Sequence, residues 1–352
     1  MCDLLVALGP VTVGGTALFA KASDRPPGEA QRLEWHPARR DRGPLRTTYV
    51  SVAPAEGDTI GWLGSRPAWC WGAEHGVNEA GVAAGNATIY TTLDPRGAKP
   101  ALIGMDLVRL ALERAESAKD AVGVVVRMIE KYGQGGSGHA GVDRPYWSSF
   151  LIADADAAFV VETSGEIWAC ESVSEARAIS NRTTIPAFDA AHRHPRQPVE
   201  RLVDPRLAAS QAVLDRPPVT VTVLEEHLRS HEGCDGYGIC MHVPGVEVTN
   251  AAMVAELPGS SAPSPGGQRR PLVHVSAGST CSSLFVPLIV GRALGTPVAW
   301  ERFAQLRPHH RPALAALEAE LAADAAEAAA DDDAWAPEAW RRIGAALDEL
   351  GV

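Results

Sequence analysis

The chain begins with a cysteine directly after the initiator methionine, and this feature constrains its fold and chemistry most. The apolar run over residues 4–8 follows at once and predicts a buried strand. The small Cys2 side chain permits removal of Met1, which would leave a free α-amine beside the thiol. Their ordinary pKa values are about 7.7–8.0 and about 8.5, so one group can serve as the base for the other. Cysteine is also a common small buried residue, and Met1-Cys2 alone leaves both interpretations open.

A second strand is predicted over residues 16–21, after a turn at Gly14-Gly15. It ends in a polar segment that contains Lys21, Asp24 and Arg25. If the two strands pair as a hairpin, these three charged groups lie close to Cys2. A solvated turn is an equally good interpretation of the segment.

Two further segments carry candidate site residues. Trp69 and Trp71 lie in a tryptophan-dense stretch, whose rings can pack in a core or line a pocket. A strand of small residues over 82–87 ends near Asn86. Glycines in such a strand allow close approach of the backbone, which a substrate pocket requires.

The remainder of the chain predicts an α+β protein with roughly a dozen antiparallel strands and helices in separate blocks. Helical periodicity runs over 104–132, with a break near 117–118. Four short strands over 149–180 predict an antiparallel meander that ends at Asn181. Residues 186–218 are rich in Pro, His and Arg and predict an excursion from the sheets. An amphipathic helix is predicted over 221–231.

Two motifs suggest other chemistry, and neither has the spacing that the chemistry needs. The glycine-rich segment 133–138 lacks the Gly-Lys-Ser/Thr ending and the preceding strand of a phosphate loop. His231, Cys234, Cys240 and His242 have ligand types that suit zinc. Their spacing is not that of a zinc motif, so we expect a surface turn and strand there. The sequence therefore predicts no metal site and no cofactor.

Composition and charge exclude several classes of function. No apolar run reaches the length of a membrane span, and no signal peptide is evident, so we expect a cytoplasmic protein. The six cysteines are scattered, as is typical of reduced thiols. Of the net charge of −11, −8 belongs to residues 313–352, which predict a solvated acidic helix or spacer. The rest of the chain is nearly neutral, so the sequence does not predict the basic surface that binds nucleic acid. A homo-oligomer is left open.

Several short motifs occur in the order found in a known family. They are Met1-Cys2-Asp3, Lys21-x-Ser23-Asp24-Arg25, Ser65-Arg66-Pro67-Ala68-Trp69-x-Trp71-Gly72-Ala73-Glu74, Gly85-Asn86, Gly104-Met105-Asp106-Leu107 and Ile179-Ser180-Asn181. From residue 1 to about 290 the sequence resembles the secernin family, which belongs with the C69 dipeptidases among the N-terminal-nucleophile amide hydrolases. The resemblance implies a four-layer αββα sandwich of antiparallel sheets. It places a hydrolase domain at 1–298 and an Ala-rich acidic helical extension at 299–352.

The resemblance also implies catalytic roles for five residues. After removal of Met1, the Cys2 thiolate would attack an amide carbonyl while its own α-amine relays the proton. Asp24 would orient that amine, and Lys21 would favour the thiolate. Asn86 would donate into the oxyanion hole. Asn181 would hold the α-amine or the substrate.

Arg25, Trp69 and Trp71 are the expected substrate-binding residues, with Arg25 a candidate for a substrate carboxylate. The expected reaction is cleavage of a C–N bond in a dipeptide, small peptide or N-acyl amine, through a thioester on Cys2. Two alternatives remain: an acyltransferase that uses the same thioester, and a non-catalytic binding protein that keeps the fold.

Overall fold

The first strand, β1 (Cys2–Ala7), is buried along its whole length. It pairs antiparallel with β2 (Ala17–Arg25) on one side and with β12 (Ala176–Ile179) on the other. In the β1–β2 hairpin, Cys2 lies opposite Ser23 and Leu4 lies opposite Lys21. Because both edges of β1 are hydrogen-bonded, the start of the chain is held inside the sheet, one strand in from its edge.

Two seven-stranded antiparallel sheets form the centre of the protein. The computed structural model describes residues 1–40, 43–196, 199–259, 270–292, 300–327 and 335–352. The first sheet has the order β12-β1-β2-β16-β17-β18, and β15 pairs with β16. Its remaining strands are β15 (His242–Val243), β16 (Glu247–Leu257), β17 (Leu272–Ala277) and β18 (Val286–Ile289).

The second sheet has the order β11-β10-β9-β8-β7-β6-β3. Its strands are β3 (Gln31–His36), β6 (Trp62–Pro67), β7 (His75–Asn78), β8 (Ala83–Ile89), β9 (Trp147–Ala153), β10 (Ala158–Ser164) and β11 (Ile167–Val173). Two short hairpins lie outside both sheets. They are formed by β4 (Leu45–Arg46) with β5 (Ser51–Val52), and by β13 (Gly233–Cys234) with β14 (Tyr237–Gly238).

The alternation of side chains along β1 separates two layers of the core. Cys2, Leu4 and Val6 face the second sheet, while Leu5 and Ala7 face the opposite way. The residues that the second sheet contributes to the layer between the sheets include Leu63, Val77, Ala83 and Leu151. The Cys2 side chain therefore lies in the layer between the sheets.

Helices cover the outer face of each sheet. Helices α1 (Gly104–Arg114) and α2 (Ala118–Tyr132) pack on the second sheet. Helices α5 (Asp204–Leu214) and α6 (Val221–Leu228) pack on the first. The layers thus follow the order helix, sheet, sheet, helix, and the predicted α+β sandwich is confirmed.

The predicted break within 104–132 is confirmed. Ala115 has an extended backbone that ends α1. The hydroxyl of Ser117 then accepts a hydrogen bond from the backbone nitrogen of Asp120 and caps α2. Within the described residues, no helix has the length and apolarity needed to cross a bilayer.

The last strand of the predicted meander belongs to the other sheet. Strands β9, β10 and β11 are consecutive neighbours in the second sheet, as expected. β12 instead crosses over and pairs with β1. The prediction of a four-strand meander is therefore wrong at β12, and the crossing brings Asn181 to the start of β1.

Residues 186–218, where the sequence predicts an excursion, are helical over much of their length. This segment contains α3 (Pro186–His192), α4 (Val199–Leu202) and α5. Proline at the start of α3 and near the start of α5 is compatible with a first helical turn, where its missing N–H costs no hydrogen bond. Helix α5 is needed to cover the first sheet.

The C-terminal helices are α7 (Trp300–Phe303), α8 (Arg311–Glu327) and α9 (Trp335–Glu349). Of the predicted solvated helix or spacer, the helix is confirmed for α8 and α9. Full solvation is wrong, because Leu321 and Trp340 are buried in the same apolar cluster as Val286 of β18. The Glu318 carboxylate of α8 also accepts a 2.6 Å hydrogen bond from the backbone nitrogen of Phe285. The predicted boundary at 298/299 lies outside the described residues.

Candidate active site

Cys2 lies at the wall of a cavity of about 620 Å³ at one end of the sandwich. Cys2 is only 7% exposed. Its backbone nitrogen donates a 2.8 Å hydrogen bond to Asn181 Oδ1. The cavity wall includes Met1, Cys2, Asp24, Arg25, Glu74, Asn86, Thr88, Tyr90, His139, Arg144, Tyr146, Asn181 and Glu247. Of the five predicted catalytic residues, Cys2, Asp24, Asn86 and Asn181 reach this wall.

Lys21 is completely buried beneath the cavity and bonds to Glu74. Its Nζ donates to the Glu74 carbonyl oxygen at 2.6 Å and lies 3.1 Å from the carboxylate Oε2. Arg25 Nη1 lies 3.1 Å from the other carboxylate oxygen, Oε1. Burial by itself would raise the pKa of Glu74, but Lys21 and Arg25 outweigh it and lower that pKa to about 2. Glu74 is thus an anion held between two cations.

This pairing changes what Lys21 can do for the thiol. Burial raises the pKa of the Cys2 thiol above its ordinary value. The Lys21 charge lowers that pKa and the Glu74 charge raises it, and the balance remains in favour of the neutral thiol. A thiol in this state needs a base to remove its proton when it reacts.

Asp24 points away from Cys2, toward the helices on the outer face of the first sheet. Its Oδ2 accepts from Arg206 Nη2 at 3.2 Å, and its Oδ1 accepts from the Thr249 hydroxyl at 2.7 Å. Burial raises the pKa of Asp24 to about 6, against the lowering effects of the chain's amino group and of Arg206. Arg206 also pairs with Asp3, so one buried guanidinium holds two carboxylates.

Met1 closes one side of the cavity. Its α-amine pairs with the Glu247 carboxylate and donates a 3.2 Å hydrogen bond to the Asp24 carbonyl oxygen. Asp24 Oδ2 lies 4.0 Å from the same amine. Burial opposes ionisation of Glu247, but the α-amine outweighs it and lowers the pKa of Glu247 below its ordinary value. An ionised carboxylate therefore faces the first residue of the chain.

The two asparagines stand on different strands beside Cys2. Asn86 belongs to β8 of the second sheet, and its Oδ1 is buried without a hydrogen-bond partner among the described residues. Asn181 follows β12 of the first sheet, and its Nδ2 donates to the Thr88 carbonyl oxygen at 3.0 Å. Both sheets therefore contribute an amide to the cavity near the thiol.

Gly104 makes room for the Asn86 amide. A Cβ atom at this position would lie 2.5 Å from Asn86 Nδ2 and 2.1 Å from the Ser148 hydroxyl oxygen. Both distances are far below van der Waals contact. The start of α1 can therefore approach β8 and β9 only because residue 104 has no side chain.

The predicted substrate-binding residues have other contacts. Arg25 reaches the cavity wall, but its guanidinium is bonded to Glu29, Glu74 and the Gly138 carbonyl. Trp69 Nε1 donates to Glu29 at 3.0 Å. The Trp71 ring lies 4.2 Å from the Arg109 guanidinium carbon, a cation–π contact. Neither tryptophan is among the described residues that line the cavity.

Four polar residues at the site had no role in the sequence analysis: Glu74, Arg206, Thr249 and Glu247. Glu74 was part of a recognised motif, but nothing in the sequence placed it beside Lys21 and Arg25. The others reach the site from α5 and β16, and no local pattern marks them. Their roles depend on which distant strands and helices pack together.

No protein-family model matches the sequence. Among solved structures, the chain is similar to the C2A mutant of conjugated bile acid hydrolase from Clostridium perfringens. The alignment covers 82% of this chain and 92% of the hydrolase chain, at 12% sequence identity and a TM-score of 0.48. The R18L variant of the same hydrolase aligns over 81% of this chain and 92% of its own chain, at 11% sequence identity and the same TM-score of 0.48. A Caenorhabditis elegans N-acylethanolamine-hydrolyzing acid amidase ortholog aligns over 72% of this chain and 92% of its own chain, at 12% sequence identity and a TM-score of 0.41.

Proposed function

We propose that the protein is an amide hydrolase whose nucleophile is the thiol of Cys2, exposed as the N-terminal residue after removal of Met1. The observation that carries this proposal is the position of Cys2. It is the first residue of a strand that is paired on both sides, its backbone nitrogen is bonded to Asn181, and its side chain borders a cavity. The resemblance of residues 1 to about 290 to the secernins supports the same activity.

In the proposed reaction, the Cys2 α-amine takes the thiol proton as sulfur attacks the substrate carbonyl carbon. The negative charge moves to the carbonyl oxygen, where the Asn86 amide would donate a hydrogen bond. The C–N bond then breaks, the leaving amine takes the proton, and a thioester remains. The α-amine then takes a proton from water as the water oxygen attacks the thioester carbon. The C–S bond breaks, the carboxylic acid leaves, and the proton passes to sulfur to restore the thiol. Asn181 would hold the α-amine throughout.

The dimensions and charge of the cavity support a small peptide as substrate. Its volume of about 620 Å³ is in the range of small-molecule sites. Removal of Met1 would take away the amine that now pairs with Glu247. We propose that the α-ammonium group of a dipeptide or small peptide replaces it, which would favour free peptides over N-acyl amines.

The test begins with the intact mass of the purified protein and its reaction with a thiol-directed electrophile. The expected result is loss of one methionine and labelling of Cys2. Cys2→Ala should lower the turnover of a dipeptide library about 10³-fold or more. Cys170→Ala removes an exposed thiol and should leave turnover unchanged. Retention of Met1 in active protein, or full activity of Cys2→Ala, would disprove the proposal.

Product analysis separates hydrolysis from acyl transfer. The assay is repeated with an added amine nucleophile, and free acid is the expected product. A new amide in place of the acid would show that the thioester is passed to an amine instead of water. Absence of labelling together with retained Met1 and no turnover would favour the non-catalytic binding protein.

A further inference from the structure

Four metal-ligand side chains meet at a site separate from the cavity. They are His231, Cys240, His242 and Cys281, and one ligand atom from each lies within 4.8 Å of those from the other three. The sequence analysis considered three of them with Cys234, whose side chain lies outside the described part of the structure. The fourth member of the cluster is Cys281, which is 39 residues beyond His242.

The backbone around the cluster is held by hydrogen bonds between its segments. Cys240 and His242 flank Met241, and their sulfur and Nε2 atoms lie 3.4 Å apart. The Cys240 backbone nitrogen donates to the Ser230 carbonyl at 2.7 Å, which fixes the segment beside His231. The Thr280 hydroxyl donates to the Leu228 carbonyl at 2.5 Å, which fixes the turn that carries Cys281. These hydrogen bonds bring the three chain segments together.

The distances suit a tetrahedral ion. Zinc bonds of about 2.3 Å to sulfur and about 2.0–2.1 Å to nitrogen place a sulfur and a nitrogen ligand about 3.5 Å apart. His242 Nε2 lies 3.4 Å from Cys240 Sγ and 3.3 Å from Cys281 Sγ. The rings of His231 and His242 have centroids 5.1 Å apart and are inclined at 72°, so they do not stack on each other.

We propose that His231, Cys240, His242 and Cys281 bind one structural Zn²⁺ ion. Two thiolates and two imidazoles form the Cys₂His₂ set that is typical of closed zinc sites. The two thiols lose their protons on binding, and their two negative charges balance the charge of the ion. With four protein ligands there is no open position for a substrate, so the ion would stabilise the fold and take no part in the reaction.

The zinc site would support the region around Asp24. The Met241 backbone nitrogen, between two of the ligands, donates to the Thr249 hydroxyl at 2.8 Å. That hydroxyl donates to Asp24 Oδ1 at 2.7 Å. Zinc would therefore fix the β15–β16 hairpin, which also carries Glu247. The proposal does not depend on the chemistry of Cys2.

The test is metal analysis of the full-length protein, purified without a histidine tag or chelator. The expected result is one zinc ion per chain. Cys281→Ser and His242→Ala should each lose most of the zinc, whereas Cys170→Ser, at an exposed thiol outside the cluster, should keep it. Replacement by Co²⁺ should give the visible absorption of a tetrahedral thiolate site, and Cys281→Ser should weaken it.

Thermal unfolding provides a readout for variants that still fold. Removal of zinc should lower the Tm of the wild type and leave the Tm of Cys281→Ser unchanged. A folded protein that binds no zinc even after incubation with the metal would overturn the proposal. So would a disulfide between Cys240 and Cys281 in protein kept under reducing conditions. Zinc content is measured without substrate, so these outcomes are independent of the proposed hydrolase activity.

Discussion

The backbone nitrogen of Cys2 lies 2.8 Å from Asn181 Oδ1, although 179 positions separate the two residues. The contact exists because β12 leaves the second sheet and pairs with β1. Asn181 follows β12 directly, and its other amide atom donates to the Thr88 carbonyl of β8. One side chain thereby joins the start of the chain to both sheets.

The first prediction concerns this asparagine. In Asn181→Ala the α-amine of processed Cys2 loses its acceptor, and we expect kcat/KM to fall about 10- to 100-fold. In Asn181→Asp a carboxylate would favour the protonated amine, which cannot act as a base. The acid limb of the pH–rate profile should therefore move to higher pH in Asn181→Asp. An unchanged profile in a folded variant would assign Asn181 a purely structural role.

The second prediction concerns the contact between Gly104 and Asn86. Gly104→Ala places a Cβ atom 2.5 Å from Asn86 Nδ2, so the amide must move. If Asn86 donates to the oxyanion, kcat should fall about 10²- to 10³-fold, as it should in Asn86→Ala, while electrophilic labelling of Cys2 persists.

Gly123→Ala is the matched control for Gly104→Ala. Gly123 lies in α2, where the added Cβ meets only the end of the flexible Arg127 side chain. Alanine is the better helix former by about 1 kcal/mol, so this variant should be at least as stable as the wild type and equally active. Full activity of Gly104→Ala would show that the Asn86 position is not critical.

The third prediction concerns Glu247 and the choice of substrate. In Glu247→Gln the cavity loses the carboxylate that now binds the Met1 amine. We expect KM for a free dipeptide to rise about tenfold or more, with little change for the same peptide carrying an N-acetyl group. The measurement is the ratio of kcat/KM for the two substrates. Equal losses for both would contradict recognition of an ammonium group by Glu247.

The fourth prediction concerns stability at acid pH and His75. His75 is buried, and its Nδ1 lies 3.2 Å from the Ser23 hydroxyl. Burial, together with the Lys21 charge, lowers the pKa of His75 to about 3. The unfolded chain therefore binds a proton at this residue between about pH 6.5 and 3 that the folded protein does not, and stability falls as pH falls through that range.

The size of the effect follows from the same linkage. At pH 4, the depressed pKa of His75 lowers the free energy of unfolding by about 3 kcal/mol relative to neutral pH. His75→Gln keeps a group that can bond to Ser23 and does not titrate, so denaturant unfolding should show a weaker loss of stability between pH 6.5 and 4. His309→Gln, at an exposed position, is the control and should retain the wild-type slope. Identical slopes for both variants would contradict the assignment.

The elements that could be predicted correctly from the sequence are local ones. The apolar run after Met1-Cys2, the glycine turn and the polar strand end predicted the β1–β2 hairpin, in which Leu4 pairs with Lys21. Helical periodicity and the polar break near residue 117 predicted α1 and α2. These elements depend on residues close together in the chain, so their patterns are visible in the sequence.

Contacts between groups far apart in the chain could not be predicted and follow from tertiary packing. The crossing of β12, the burial of Arg206 between two carboxylates and the approach of Cys281 to His242 each join segments far apart in the chain. Such contacts depend on how sheets and helices bury their apolar faces together, and sequence spacing does not encode them. The ion pair between Lys21 and Glu74 was not predicted for the same reason, because it forms only when the two sheets stack.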